Sequence, residues 1–160
     1  MKSQSKAEWQ TLSFAQLDNH QLYQIMKLRV DVFVVEQNCP YPELDNKDHH
    51  SEVRHIVGMV NGDIAAYCRV LPTGLSYSAP SIGRVIVAQA YRADKLGHEL
   101  LRRAIESCET LWPNELEIKI GAQQHLKGYY HQHGFIRCSE MYLEDGIPHI
   151  DMVRNPTKHN

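Results

Sequence analysis

The sequence predicts an α/β protein, a mixed β-sheet flanked by helices and folded as one domain over 1–160. Three observations carry that expectation. Residues 82–88 hold Ile82, Val85, Ile86 and Val87, interrupted only by Gly83 and Arg84, which suits a strand buried on both faces. Leu96, Leu100, Leu101, Ala104, Ile105 and Cys108 then recur at three- and four-residue steps, the apolar stripe of an amphipathic helix. Asn61-Gly62 between two apolar stretches reads as a tight hairpin turn. Hairpins beside strand–helix units mix the two classes of structure.

In chain order, 9–14 alternates partly (Trp9, Leu12, Phe14) and reads as a first strand. Asp18 with Gln21 three residues on forms a capping-box pattern. Leu22, Ile25, Met26, Arg29, Val32 and Phe33 share a face, so the helix runs to about Val35, with Arg29 read as a snorkelling side chain. Residues 36–53, with Pro40 and Pro42, form a long loop, and loops of that length in small domains often carry function. Strands over 54–60 and 63–71 flank the hairpin turn, and 72–80 is a connecting loop. The central strand leads through polar residues 89–97 into the helix, which ends at Trp112-Pro113. A strand over 117–122 and a short helix over 126–133 follow, the helix stopped by Gly134. Residues 135–143 form a strand, 144–146 a turn and 147–153 the last strand. The ends, 1–7 and 155–160, are expected to fray.

Composition removes several function classes. The net charge is −2, so no overall field draws the chain to nucleic acid or a membrane surface. No apolar run is long enough to span a bilayer, and 1–8 lacks a secretory core. The 4 cysteines have no Cys-x-x-Cys spacing, so a cytoplasmic protein with reduced thiols is expected. Cys68, Cys108 and Cys138 lie in apolar stretches and read as inert. The 10 histidines include no His-Glu-x-x-His pattern, and no metal is expected.

A buried strand feeding a helix N-terminus gathers free N–H groups and a positive dipole end, a natural phosphate site, and Arg92 and Lys95 add charge there. Arg92-Ala93-Asp94-Lys95-Leu96-Gly97 resembles the acyl-CoA pyrophosphate loop of the GNAT acetyltransferases, Gln/Arg-x-x-Gly-x-Gly/Ala. Lys95 stands where that family usually has its central Gly. A Lys calls for an ordinary backbone there and a slightly rebuilt loop, and its ammonium could reach a phosphate. A second stretch, residues 123–135, resembles the family's Asn-x-x-Ala-x-x-Phe-Tyr-x-x-x-Gly-Phe, with Gln123 for Asn and Leu126 for Ala. The element order is similar to the GNAT fold over essentially the whole chain. Residues 33–41, 82–87 and 144–149 further resemble the ElaA-type subgroup.

The resemblance implies transfer of an acetyl group from acetyl-CoA to a primary amine, on a small molecule or peptide, by direct attack. It implies cofactor contacts from Ile86, Val87, Arg92, Ala93, Asp94, Lys95, Leu96, Gly97, His98, Gln123 and Tyr130. Backbone N–H groups near Ile86 and Val87, where the family has a bulge, would stabilise the developing oxyanion. Tyr130 would protonate the leaving thiolate, its phenol staying neutral at pH 7, while Tyr129 packs inward. Glu36 and His55, with Glu144 and His149, are candidates for the base that takes the amine's proton. A homodimer is among the states the resemblance allows. The alternative function is a non-catalytic acyl-CoA-binding or sensing module of the same fold; retention of Tyr130 favours the enzyme.

Overall fold

The computed structural model describes residues 7–155, so most of the two ends expected to fray lie outside it. The described chain forms two four-stranded sheets. The first has the order β1 (Glu8–Ser13), β2 (Arg54–Val60), β3 (Asp63–Leu71), β4 (Ser81–Val87). The second has β5 (Ile118–Gln123), β8 (Ile147–Arg154) and β6 (Phe135–Arg137), with β7 (Tyr142–Glu144) also paired to β8. Every pair within each sheet is antiparallel. The sheets meet where the Lys119 N–H donates to the Pro80 carbonyl at 2.9 Å, beside the starts of β4 and β5. Since α2 (Leu96–Leu111) carries the chain from one strand to the other, β4 and β5 leave that junction in the same sense.

Alternation along the first sheet builds two cores. Ile56, Ala66, Cys68 and Val70 face α2, whose six periodic residues are all buried, while Val57 and Tyr67 face α1 (Asn19–Arg29) with Ile25 and Val32. In β4, Ile82 belongs to the α2 core and Ile86 to the α1 core. Residues four apart share a face in a regular strand, so the parity must flip between them. It flips at Arg84, where φ is +52° and the pairing with β3 shifts register. The bulge thus sits before Ile86 and Val87, the positions expected to carry it.

Local chemistry explains most boundaries. Asp18 caps α1 through the Gln21 N–H at 2.7 Å, and the Gln21 side chain accepts from the Asp18 N–H at 3.0 Å, closing the capping box. The helix continues past Arg29 as predicted, but Val30–Glu36 is a π-helix, with the Gln37 N–H on the Val32 carbonyl five residues back. That widened turn sets Val32, Phe33, Glu36 and Gln37 along one wall of a cleft. Asn61 and Gly62 both have positive φ, as the hairpin turn requires. The strand expected over 135–143 breaks into β6 and β7; the Cys138 N–H bonds to the Asp151 carbonyl and the Ser139 hydroxyl accepts the Asp151 N–H between them. Cys138 is consequently exposed, while Cys68 and Cys108 are buried, with burial pushing both thiols up.

Arg29 does not snorkel. It is fully buried and donates to Glu43 at 2.6 Å and Asp48 at 2.5 Å. Arg69 reaches Asp45 and Asp48, and Arg84 reaches Glu43. Three guanidinium groups on three separate elements therefore hold three carboxylates of the 37–53 loop, which is irregular in backbone yet tied to the core.

Candidate active site

The two sheets diverge from the Lys119–Pro80 junction, and the space between β4 and β5 opens into a cleft of about 690 Å³. Gly83 to Val87 line one wall, and Gly121 and Gln123 the other. Among the described residues β4 has no strand partner on the cleft side. The Ala88 N–H bonds to the Ala65 carbonyl at 2.8 Å. Antiparallel alternation then turns the Ile86 backbone toward β3 and the Val87 backbone toward the cleft. Of the two expected donors, only the Val87 N–H faces the open edge; its carbonyl accepts from Arg92 Nε at 2.9 Å.

One end of the cleft is the start of α2. Lys95 precedes the helix with φ +60° and ψ +28°, the left-handed conformation of a glycine. The expected rebuilding does not occur: the backbone keeps the shape a Gly would give it and Lys95 bears the strain. No side chain caps this helix, so its first N–H groups remain for an anion. Lys95, Gly97 and His98 line the cleft; Ala93 and Asp94 are exposed outside it, and Leu96 packs into the core. Arg92 lines it too, but is occupied by a two-pronged pair with Glu36 at 2.7 and 2.9 Å. The hydrogen bond from Arg92 holds the Glu36 carboxyl below its usual range, which weakens it as a base.

The two tyrosines of α3 (Lys127–His131) exchange their expected places. Tyr129 is half-buried and donates to the Gly97 carbonyl at 2.6 Å, tying α3 to the start of α2. Tyr130 is the buried one, edge-on to Tyr129 and Phe135. Its hydroxyl has no hydrogen-bond partner among the described residues, yet the side chain lines the cleft. Burial raises its phenol above the ordinary value, so it is a neutral donor at pH 7.

His55 lies away from this cleft. It is fully buried; Tyr67 donates to its Nδ1 at 2.6 Å, and its Nε2–H donates to the Asp48 carbonyl at 3.0 Å. Both nitrogens are used, so the geometry gives it a structural place instead of the acceptor-facing one expected. The far end of the cleft joins the 37–53 loop to the β7–β8 turn. Cys39 Sγ contacts the Asp145 carbonyl at 3.4 Å, and Gln123 Nε2 donates to Gln37 at 3.3 Å. Tyr41, Glu144 and His149 line this end. Sequence reasoning gave Arg84, Gln37 and Tyr41 no role at the site, although all three lie in the stretches 33–41 and 82–87 that carry the ElaA-type resemblance. Among the described residues, no three of His, Cys, Asp and Glu come together as a metal site needs.

A splayed strand edge meeting an uncapped helix start is matched by sequence. A family model for the acetyltransferase (GNAT) domain covers residues 6–155. The chain belongs to the GNAT acetyltransferase family. Protein ElaA of Escherichia coli (strain K12) is 45% identical over 147 residues, 92% of this chain and 95% of that protein. The crystal structure of E. coli ElaA matches with a TM-score of 0.87 at 44% identity, covering 93% of this chain and 99% of that one. An acyl-CoA N-acyltransferase from Pseudomonas aeruginosa matches with a TM-score of 0.87 at 40% identity, covering 92% and 99%. The GNAT fold and the ElaA-type likeness both stand, and acyl transfer is the chemistry of this family. No helix among the described residues is long and apolar enough to cross a membrane.

Proposed function

We propose that the protein is an acetyl-CoA-dependent N-acetyltransferase acting on a primary amine of a small molecule or peptide. The observation that carries this is the open edge of β4 beside the uncapped start of α2. An extended pantetheine arm can pair with that edge as an added strand while its pyrophosphate meets the helix N–H groups and Lys95. The Val87 N–H is then the donor beside the thioester carbonyl, and Tyr130 faces the departing sulfur. The amine attacks the carbonyl carbon, the C–N bond forms, the C–S bond breaks, and the Tyr130 hydroxyl gives its proton to sulfur. Excluding water from the cleft protects the thioester from hydrolysis. We place this reaction in the cytoplasm, where the free thiols stay reduced.

The test is release of free coenzyme A thiol from acetyl-CoA with a panel of polyamines, amino acids and peptides. Amine-dependent release with one acetylated product supports the reading. Tight acetyl-CoA binding with no release across the panel would instead make the protein a binding module.

A further inference from the structure

Amine acetylation needs a place for the acceptor's proton; of the four candidate bases two are engaged elsewhere, and Glu144 is exposed at the β7–β8 turn. Glu36 is held by Arg92, and His55 has both nitrogens bonded in the core. His149 is different. It sits on β8 opposite Gln123 and Tyr142, is only 8% exposed, and lines the far end of the cleft. Its Nδ1 lies 2.8 Å from the Ile147 carbonyl. A carbonyl oxygen only accepts, so Nδ1 carries the hydrogen, and in the neutral ring the lone pair is therefore on Nε2. Nε2 has no partner among the described residues, and the ring stacks with Tyr142, 6.0 Å between centroids and 25° from parallel. Titratable groups lining the same cleft include Glu144 on β7, Asp145 in the turn, and Cys39 and Tyr41 from the facing loop, while the Tyr142 hydroxyl beside the ring donates to Asp151.

We propose that His149 Nε2 is the general base that takes the acceptor's proton. This rests on the acetyltransferase reading above. The docking ammonium gives one proton to Nε2 and becomes the neutral nucleophile. As the C–N bond forms and the C–S bond breaks, the nitrogen's second excess proton replaces, through water, the one Tyr130 gives to sulfur. The imidazolium then returns its proton to solvent. The fixed tautomer is what fits the ring for this task, because the buried side of the imidazole is locked as the donor.

Two measurements on the full chain decide it. Long-range ¹⁵N–¹H correlation spectra of the wild type should show the neutral His149 ring as the Nδ1–H tautomer; an Nε2–H tautomer overturns the proposal without any substrate. His149→Asn keeps a donor for the Ile147 carbonyl and removes the base. With the most active alkylamine of the panel at pH 7, its kcat/KM should fall about 100-fold or more, with unchanged acetyl-CoA affinity and melting temperature. The deficit should shrink as pH approaches the amine's own pKa, and with hydroxylamine, which is already unprotonated at pH 7. Wild-type turnover with an equally active Asn variant, or a deficit independent of pH and nucleophile, overturns this proposal alone. No turnover of any amine by the wild type overturns the acetyltransferase reading and this proposal with it.

Discussion

Tyr130 is a buried aromatic whose hydroxyl has no protein partner among the described residues. Removing that oxygen therefore breaks no internal bond, so Tyr130→Phe should keep its melting temperature and acetyl-CoA affinity. Its kcat should fall roughly 10²–10⁴-fold, the usual worth of a positioned acid. Measuring melting and turnover on the same variant checks both halves, and unimpaired kcat would remove Tyr130 from the mechanism. Lys95 offers a second test. Its left-handed backbone costs a non-glycine residue roughly 1–2 kcal/mol, and a glycine would return about 0.5–1 kcal/mol of that as chain entropy. Lys95→Gly should thus melt no lower than wild type, while acetyl-CoA binding weakens by about 1.5–3 kcal/mol through loss of a charge-assisted bond. Calorimetry showing undiminished affinity would mean the ammonium points only to water. At Gly97 an added Cβ would meet Tyr129 and Val87 at 3.5 Å or more, ordinary contact. Gly97→Ala should therefore fold normally, and any loss of affinity in it would report crowding of the ligand itself.

Among the elements, the 37–53 loop depends most on its charges. Glu43, Asp45 and Asp48 are its anchors, and their arginines lie on α1, β3 and β4. Asp48→Asn leaves Arg29 and Arg69 each short of a carboxylate in a buried setting, which should cost about 3–5 kcal/mol in chemical denaturation. A change below 1 kcal/mol would show that the loop is held by packing alone. The same network sets a pH dependence. Burial would push the Asp45 and Asp48 carboxyls up, but Arg69 and Arg29 outweigh it and hold both below the ordinary range. Groups lowered in this way stabilise the fold above the unfolded pKa near 3.9 and lose that contribution as pH falls through the folded value. Burial also lowers His55, so its contribution begins to fail earlier, as pH falls below the unfolded value near 6.5. Stability measured against pH should decline in two stages, first below about 6.5 and then below about 4.

For the whole molecule, the division into two sheets is what makes room for a ligand. A donor seated between β4 and β5 binds only when both sheets are folded, so its binding free energy adds to that of folding. Acetyl-CoA at 100 times its dissociation constant should stabilise the protein by about 2.7 kcal/mol. For a chain of this size that is a rise of roughly 5–11 °C in melting temperature. No shift at saturating acetyl-CoA would mean that the cleft is not the donor site.

The sequence by itself determined what depends on near neighbours in the chain. The α2 stripe, the Asp18–Gln21 cap, the Asn61-Gly62 turn and the Gly134 stop are each written within a few residues, and each forms as read. The family motifs are equally local, which is why the fold was legible and why the start of α2, which opens on the cleft, could be singled out. Tertiary structure decided what depends on distant partners. Whether Arg29 snorkels or is buried turns on Glu43 and Asp48, 14 and 19 residues away. Whether Glu36 is a free base turns on Arg92, 56 residues away, and whether His55 faces solvent turns on Tyr67 and the Asp48 carbonyl. His149 and His55 are alike as letters in a strand. Only the fold seals one between two partners and leaves the other with a nitrogen open to the cleft, because a side chain's chemistry is set by what desolvates it and what it bonds, and both come from elsewhere in the chain.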